Sequence, residues 1–389
     1  MAGSEERFQR LVALRRDLHR RPELSGSEEE TARRIAAELD AIGVSFTTGV
    51  GGHGVVAEIP GTGDGPTIAL RADTDALPIH EETGLEFASE IDGVMHACGH
   101  DGHAAMLVGA AELLLADPAR GTTRLLFQPA EERGPGASAM VEAGALEGVS
   151  AIFAGHLDRH YPPGTLAISD GAVNAASDAF EIVIRGEQGH GARPHEAVDA
   201  VVVGSLLVTA LQTIVSREID PAHPSVVSVG RFDAGTAGNV IAGTAHLEGT
   251  IRSQETDVRE HLCRSVERIA TAIGQLHDAH VRVKVTPGNP PVINTPQMAD
   301  LARRAASGLD EVDTVVPLRT VNMGSEDFGR YLEHVPGCYI RYGGQVSGLE
   351  GYPAHSSKFD FDERALQTGA AWLASVARVA GSELTPQET

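Results

Sequence analysis

Apolar and charged positions alternate through residues 6–20 at the spacing of one helical face, which predicts an amphipathic helix. ELSGSEEETARRIAAELDAIG predicts a second helix, with Ser25 or Ser27 as its cap and Glu28 to Glu30 at its positive end. VVAEIP and TIALRAD read as strands, and DGHAAMLVGAAELLLA reads as a strong helix. TRLLFQPAEE is a strand running into acids, ASAMVEAG is a short helix stopped at Gly144, and AIFAGH is another strand. Strands alternating with helices predict an α/β layer with a largely parallel sheet. Polar groups that gather after strand ends lie where such sheets put active sites.

The pattern changes near residue 175. DAFEIVIRG, PSVVSVGRF, NVIAGTAHLEGTIRS and AHVRVKVTPG read as strands. HEAVDAVVVGSLLVTALQTIV and ETDVREHLCRSVERIATAIGQLH read as the helices between them. The order β-α-β-β-α-β predicts a ferredoxin-like α+β domain over 175–286. It is inserted into an outer domain built from 1–174 and 287–389. After the insert, MADLARRAASGL, SEDFGRYLEHV, CYIRYGG and ERALQTGAAWLASVARVA resume the mixed pattern, with a helix start expected at 324–326. The tail GSELTPQET is expected to fray.

The length of 389 residues suits two or three domains. Lys and Arg number 31 against 54 Asp and Glu, a formal charge of -23, so nucleic acid and anionic membrane are poor partners. The N-terminus lacks the long apolar run of a signal peptide. VDAVVVGSLLVTALQTIVSREI carries Asp199, Gln212, Arg217 and Glu218, which argues against a membrane span and towards a cytoplasmic protein. Three cysteines, an odd and widely spaced set, argue against a disulfide scaffold. Cys263 and Cys338 read as packing residues.

Cys98 differs. MHACGHDGHAAM places it among three histidines and an aspartate. A thiol beside imidazoles serves as nucleophile, redox centre or metal ligand, and divalent metals of borderline softness accept both Cys98 and His100. Two ligands do not close a site. Glu131, Glu132, His156 and His355 stand at strand-end positions and are the further candidates. Adjacent acids rarely face one point, so one of Glu131 and Glu132 binds metal while the other turns to a water. Asp75 follows a strand and reads as a group that orients a ligand or fixes a loop. Asp101 and His103 read as caps or braces of the helix that starts there.

RADTDALPI (71–79), MHACGHDGHAA (95–105), FQPAEERGPGA (127–137), GHLDRHYPPG (155–164), GEQGHGARPHEAVDA (186–200), NVIAGTAHLEGTIRS (239–253) and GSEDFGRYL (324–332) occur in this order. Together they resemble the aminoacylase and carboxypeptidase family of metallohydrolases, peptidase M20. The branch is that of hippurate hydrolases, N-acyl-amino acid amidohydrolases and auxin-conjugate hydrolases. The resemblance implies a metallopeptidase-type catalytic domain bearing an inserted lid and dimerisation domain. It implies Cys98, His100, Glu132, His156 and His355 as ligands of two divalent ions, Zn, Mn, Co or Ni, with the thiolate as bridge. Glu131 matches the general base, and His190 a lid-domain donor to the oxyanion, acting in relatives on the other subunit. Asn239 and Arg252 match positions that meet a substrate carboxylate, and Gly324, Ser325 and Glu326 match the substrate side.

The implied protein is a homodimer that hydrolyses the amide of small N-acyl amino acids. A dipeptidase or carboxypeptidase with the same site is the rival enzyme, and a non-catalytic metal-stabilised binding protein the rival of another class. Retention of Glu131 beside the full ligand set disfavours the last. The chain departs from the family pattern at Arg159, with His160 beside it, and at Ser357, Ala242 and Thr74. None of these removes a ligand or the base.

Overall fold

The computed structural model describes residues 2–347 and 352–386. Two compact units emerge. The first comprises Met1–Gly171, Ile293–Thr320 and Arg330–Thr389; the second comprises Ala172–Val292 and Val321–Gly329.

The first unit is a mixed α/β layer. Its elements open with α1 (Ala2–Arg20), α2 (Glu29–Ala41), β1 (Ser45–Val50), β2 (Gly54–Pro60) and β3 (Thr62–Asp73). They continue with α3 (His100–Ala116), β4 (Arg120–Gln128), α4 (Gly136–Glu142), β5 (Val149–Asp158) and β6 (Thr165–Ala167). The eight-stranded sheet runs β1, β2, β4, β3, β5, then strand Gly337–Gly343, β6 and strand Thr314–Val316. β4, β3, β5 and Gly337–Gly343 are mutually parallel, whereas β1 and β2 join antiparallel. Runs such as TIALRAD and AIFAGH are apolar on both faces because helices cover a parallel sheet on both sides. Helix α3 is buried nearly all round, between α1 and helix Ala365–Glu383. Trp372 of the latter is buried and donates Nε1–H to Ala302 O at 3.1 Å.

The second unit has a core of its own. Strands Ser225–Ala234, Thr244–Ser253, Ala176–Arg185 and His280–Pro287 lie in that order, every neighbour antiparallel. That is the ferredoxin-like order, with helices Ala200–Thr213 and Thr256–Leu276 packed on one face. Asp199 caps the first helix by accepting from Val201 N and Val202 N. Among the described residues, Ala200–Glu218 is the one helical stretch long and apolar enough to cross a membrane. Its Ala200, Val203, Leu207, Leu211 and Ile214 are instead buried in the core of this unit.

Three local expectations are corrected. Neither Ser25 nor Ser27 caps α2, whose cap position is Glu28. Glu23 takes the cap's work, accepting from Glu30 N at 3.2 Å and Thr31 N at 2.8 Å, because the chain turns back at Ser25–Gly26 and brings its carboxylate over the helix end. No helix starts at 324–326; a four-residue helix occupies Gly329–Leu332, and Glu326 Oε1 accepts from Phe328 N at 3.0 Å in a turn before it. The last long helix runs on through Glu383, whose Oε2 accepts from Arg304 Nη2 at 2.8 Å, so the tail is anchored to that point; residues 387–389 lie outside the described residues.

Candidate metal centre

Four loops deliver the chemistry of the first unit to the carboxyl ends of its parallel strands. Cys98 and His100 stand where the chain enters α3. Gly99 between them is left-handed at φ 89°, and a Cβ there would meet Leu157 Cδ1 at 2.8 Å, so both conformation and space demand glycine. Glu131 and Glu132 follow β4 after Ala130, a non-glycine residue at φ 55°. His156 lies near the end of β5. His355 is also left-handed, at φ 69°, and is tied by its N–H to Ala97 O at 2.7 Å.

Their donor atoms converge. Cys98, His100 and His156 form one group within 4.8 Å; Cys98, Glu132 and His355 form a second; His100, Glu131 and Glu132 form a third. The Cys98 thiol lies 3.3 Å from His156 Nε2, and His355 Nε2 lies 3.1 Å from Glu132 Oε1. The thiol belongs to two of the groups.

Surrounding bonds fix how the two imidazoles are aimed. His100 Nδ1 faces Asp75 O at 3.0 Å and Asp75 Oδ1 at 3.2 Å, which leaves Nε2 buried with no hydrogen-bond partner among the described residues. A buried ring nitrogen without a partner is costly, and a cation at that point would remove the cost. His156 Nδ1 donates to Leu157 O at 2.7 Å, so its Nε2 presents a lone pair. Burial, with His103 and Arg341 nearby, holds His156 well below the ordinary imidazole value and therefore neutral. Burial opposes charge on His100 as well, but Asp73 and Asp75 outweigh it and raise that ring well above the ordinary value. Burial pushes the Cys98 thiol up to about 12.

Asp75 does more than orient His100. Its Oδ2 accepts from Glu132 N at 2.9 Å and from Ser25 Oγ at 2.6 Å. Imidazole, glutamate backbone and N-terminal loop are thus joined through one carboxylate.

The sequence reading passed over Asp73 and Arg71, and read His103 as a cap or brace of α3. Asp73, Arg71 and His103 form a buried chain: Arg71 Nη1 and His103 Nδ1 both reach Asp73 at 2.5 Å, and His103 Nε2 accepts from Leu157 N at 3.0 Å. His103 therefore braces the backbone beside His156. Asp101 is no cap. Its buried carboxylate accepts from Arg15 Nε at 3.0 Å and His19 Nδ1 at 2.8 Å, because α1 packs against α3 and needs a counter-charge for Arg15. The pairing of two acids inside RADTD was the available sign of Asp73; nothing in the sequence marked Arg15.

The unusual residues are accommodated. Thr74 Oγ1 donates to Gln128 O at 3.0 Å and stitches β3 to β4 where both deliver site residues. Ser357 Oγ donates to Glu82 Oε2 at 2.5 Å. His160 Nδ1 lies 2.7 Å from Asp158 Oδ1, on the loop that follows His156.

His190, Asn239 and Arg252 belong to the second unit. His190 pairs with Val240 in a two-stranded ribbon, and Asn239 O accepts from Gly191 N at 2.9 Å, so these two stand together. His190 is exposed, and its Nδ1 accepts from Ala192 N at 3.0 Å. Arg252 stands apart on strand Thr244–Ser253, between Ser177 and Val226, with no acidic partner among the described residues.

Comparison with known proteins identifies the family. The profile of peptidase family M20/M25/M40 matches residues 69–379. The chain is 41% identical to N-acetylcysteine deacetylase of Bacillus subtilis over 371 residues, covering 95% of this chain and 96% of that protein. It is 41% identical to thermostable carboxypeptidase 1 of Saccharolobus solfataricus, covering 92% of each. A crystal structure from Bacillus subtilis, described as a dinuclear metal binding peptidase of the M20 family, superposes with a TM-score of 0.87 at 36% identity, covering 98% of this chain and 100% of that one. A thiol shared between two ligand groups at the strand ends, on a chain matched along nearly its whole length, places this protein in peptidase family M20.

Proposed function

We propose that the protein is a metal-dependent amidohydrolase that cleaves the amide of an N-acyl amino acid or a related small conjugate. One observation carries the reading: the donors of Cys98, His100, Glu132, His156 and His355 converge in groups that share the Cys98 thiol, with Glu131 alongside. These residues would hold two divalent cations, one in each of the two groups to which Cys98 belongs. Their mixture of thiol, imidazole and carboxylate suits Zn, Mn, Co or Ni. Cys98 stands among His100, His156, Glu132 and His355 in two groups of ligand-type side chains, which favours the ligand role over attack by sulfur.

Bound divalent cations would supply Lewis-acid polarisation of the acyl carbonyl and acidify the attacking water. Glu131 takes the proton of that water and delivers it to the departing amine nitrogen. Asp75 holds His100 and Glu132 in place for this. His190 is the oxyanion donor: its Nδ1 is used by Ala192 N, so Nε2 carries the proton and is free to donate. Arg252, which has no acidic partner among the described residues of a chain of charge -23, takes the substrate carboxylate in a bidentate pair, with Asn239 assisting. The working form is a homodimer. Its support is the outer side of helix Ala200–Thr213, where Val201, Val202 and Leu206 are exposed.

The test is a substrate panel on metal-stripped protein restored separately with each of the four metals. N-acetyl and N-benzoyl amino acids are run against dipeptides of matched C-terminal residue. Turnover of the N-acyl series that requires restored metal is expected. Full activity without bound metal overturns the reading. Turnover of dipeptides alone makes the protein a peptidase, the reading favoured by its identity to a carboxypeptidase.

A further inference from the structure

The turn that carries Glu131 and Glu132 has an unusual backbone. Ala130 sits at φ 55°, a conformation L-residues avoid unless their surroundings hold them there. Its neighbours leave little room: a Cβ on Gly136 would meet Pro129 O at 2.0 Å, and Gly136 N already donates to Ala130 O at 3.3 Å. The remaining polar group of Ala130, its N–H, donates to Glu28 Oε1 at 2.8 Å across 102 residues of sequence.

Glu28 is itself peculiar. It is fully buried, at 0% exposure, at the cap position of α2. Oε1 accepts from Gly26 N at 2.9 Å as well as from Ala130 N, while Oε2 is buried with no hydrogen-bond partner among the described residues. Burial pushes the carboxyl above its ordinary value against the pull of these backbone donors. A buried acid with one oxygen unused is a poor stabiliser, so its presence is best explained by what the other oxygen holds. The same N-terminal loop grips the site twice more. Ser25 Oγ donates to Asp75 Oδ2 at 2.6 Å, and Ala76 N donates to Glu23 O at 2.8 Å.

We infer that Glu28 is a positioning residue of the hydrolytic site: by holding the Ala130 amide it fixes the left-handed turn and so the directions of Glu131 and Glu132. The inference rests on the reading of Glu131 as base and Glu132 as ligand. Glu28 touches neither substrate nor metal and acts only through that turn. Its accepting oxygen, and not its charge, is the working part.

Three single variants and one double variant test this in the metal-loaded full-length protein. E28L fills the space but cannot accept from Ala130 N. It is expected to lower kcat about 10–100-fold, the usual effect of removing a group that orients a ligand. KM should change less than about threefold, because substrate contacts lie elsewhere. E28Q keeps an accepting oxygen and should retain kcat within about threefold of wild type, with the same pH profile. E131Q should be severely impaired, and the losses in E28L/E131Q should fall well short of additive, since part of the effect of E28L passes through Glu131. A wild-type kcat in E28L with an impaired E131Q overturns the role of Glu28 alone. So does E28Q falling as far as E28L, or full additivity in the double variant. A fully active E131Q removes instead the base assignment on which the inference rests. If E28L does not fold, amide exchange in the wild-type protein decides: the Ala130 amide should be protected like the strand amides of Leu125 and Leu126, and exchange at the rate of an open loop overturns the inference.

Discussion

Glu131 and Glu132 are neighbours with different surroundings, and the difference predicts different failures. Glu132 has its backbone N–H on Asp75 and its carboxylate on His355, so it is built into the ligand frame. E132A should lose metal, read by elemental analysis, together with activity. E131Q should keep its fold and most of its metal while turnover falls about 10²–10⁴-fold, the range of general acid–base catalysis. Retention of normal turnover by E131Q would move the proton transfer to another group. His103 belongs to the same scale. H103A leaves Asp73 and Leu157 N without their partner, and metal affinity should weaken about 10–100-fold, measured by competition with a chelating dye. Arg252 is tested by substrate pairs that differ only at the carboxylate. R252A should lose far more on the free acid than on its amide, and equal losses would remove it from recognition.

Elements set where these residues stand. In the second unit, strand Ala176–Arg185 and helix Thr256–Leu276 are joined by a buried ion pair. Asp178 takes Arg259 Nη2 at 2.6 Å and Nε at 2.8 Å, and also Gly288 N at 3.0 Å. Burial opposes its charge, but Arg259 and Gly288 N outweigh it and lower the Asp178 carboxyl below the usual carboxylate value. Stability from a carboxyl lowered in the fold is fully present above its unfolded value and is lost as pH falls through its folded one. R259M strands the buried carboxylate and should cost about 3 kcal/mol at neutral pH. The gap from wild type should narrow below about pH 4, where the unfolded carboxyl takes up a proton. Denaturant midpoints of both proteins at neutral and acid pH measure it, and a gap that widens in acid would contradict the sign.

At the scale of the whole molecule, the homodimer and the metal content are the open quantities. Light scattering at low concentration should give twice the chain mass. L206E, placed on the exposed side of helix Ala200–Thr213, should give the single mass without unfolding the second unit, because Leu206 lies outside that unit's core. If L206E remains a dimer, the contact lies on another face. Purified active protein should hold close to two equivalents of divalent metal, and a single equivalent would leave Cys98 as an ordinary ligand of one ion.

The order of elements and the candidate ligands were legible along the chain. Helical and strand periodicities are local, and so are the glycine and acid signals around MHACGHDGHAA and FQPAEE. The proposed ligand set rests on a resemblance whose motifs recur in order. What ties these groups together was not legible. Ser25, read as a helix cap, serves Asp75; Asp101, read as a cap, neutralises Arg15 from another helix; Glu28, read as a helix-end charge, holds the amide of Ala130. Each is a polar group whose partner lies far away in sequence, and local periodicity carries no information about which distant donor folding will bring beside it. The sequence by itself determined which elements form and which side chains bring metal-binding chemistry to the strand ends. The tertiary structure alone decided how those side chains are aimed, because a buried polar group must be satisfied by whatever the packed core sets against it.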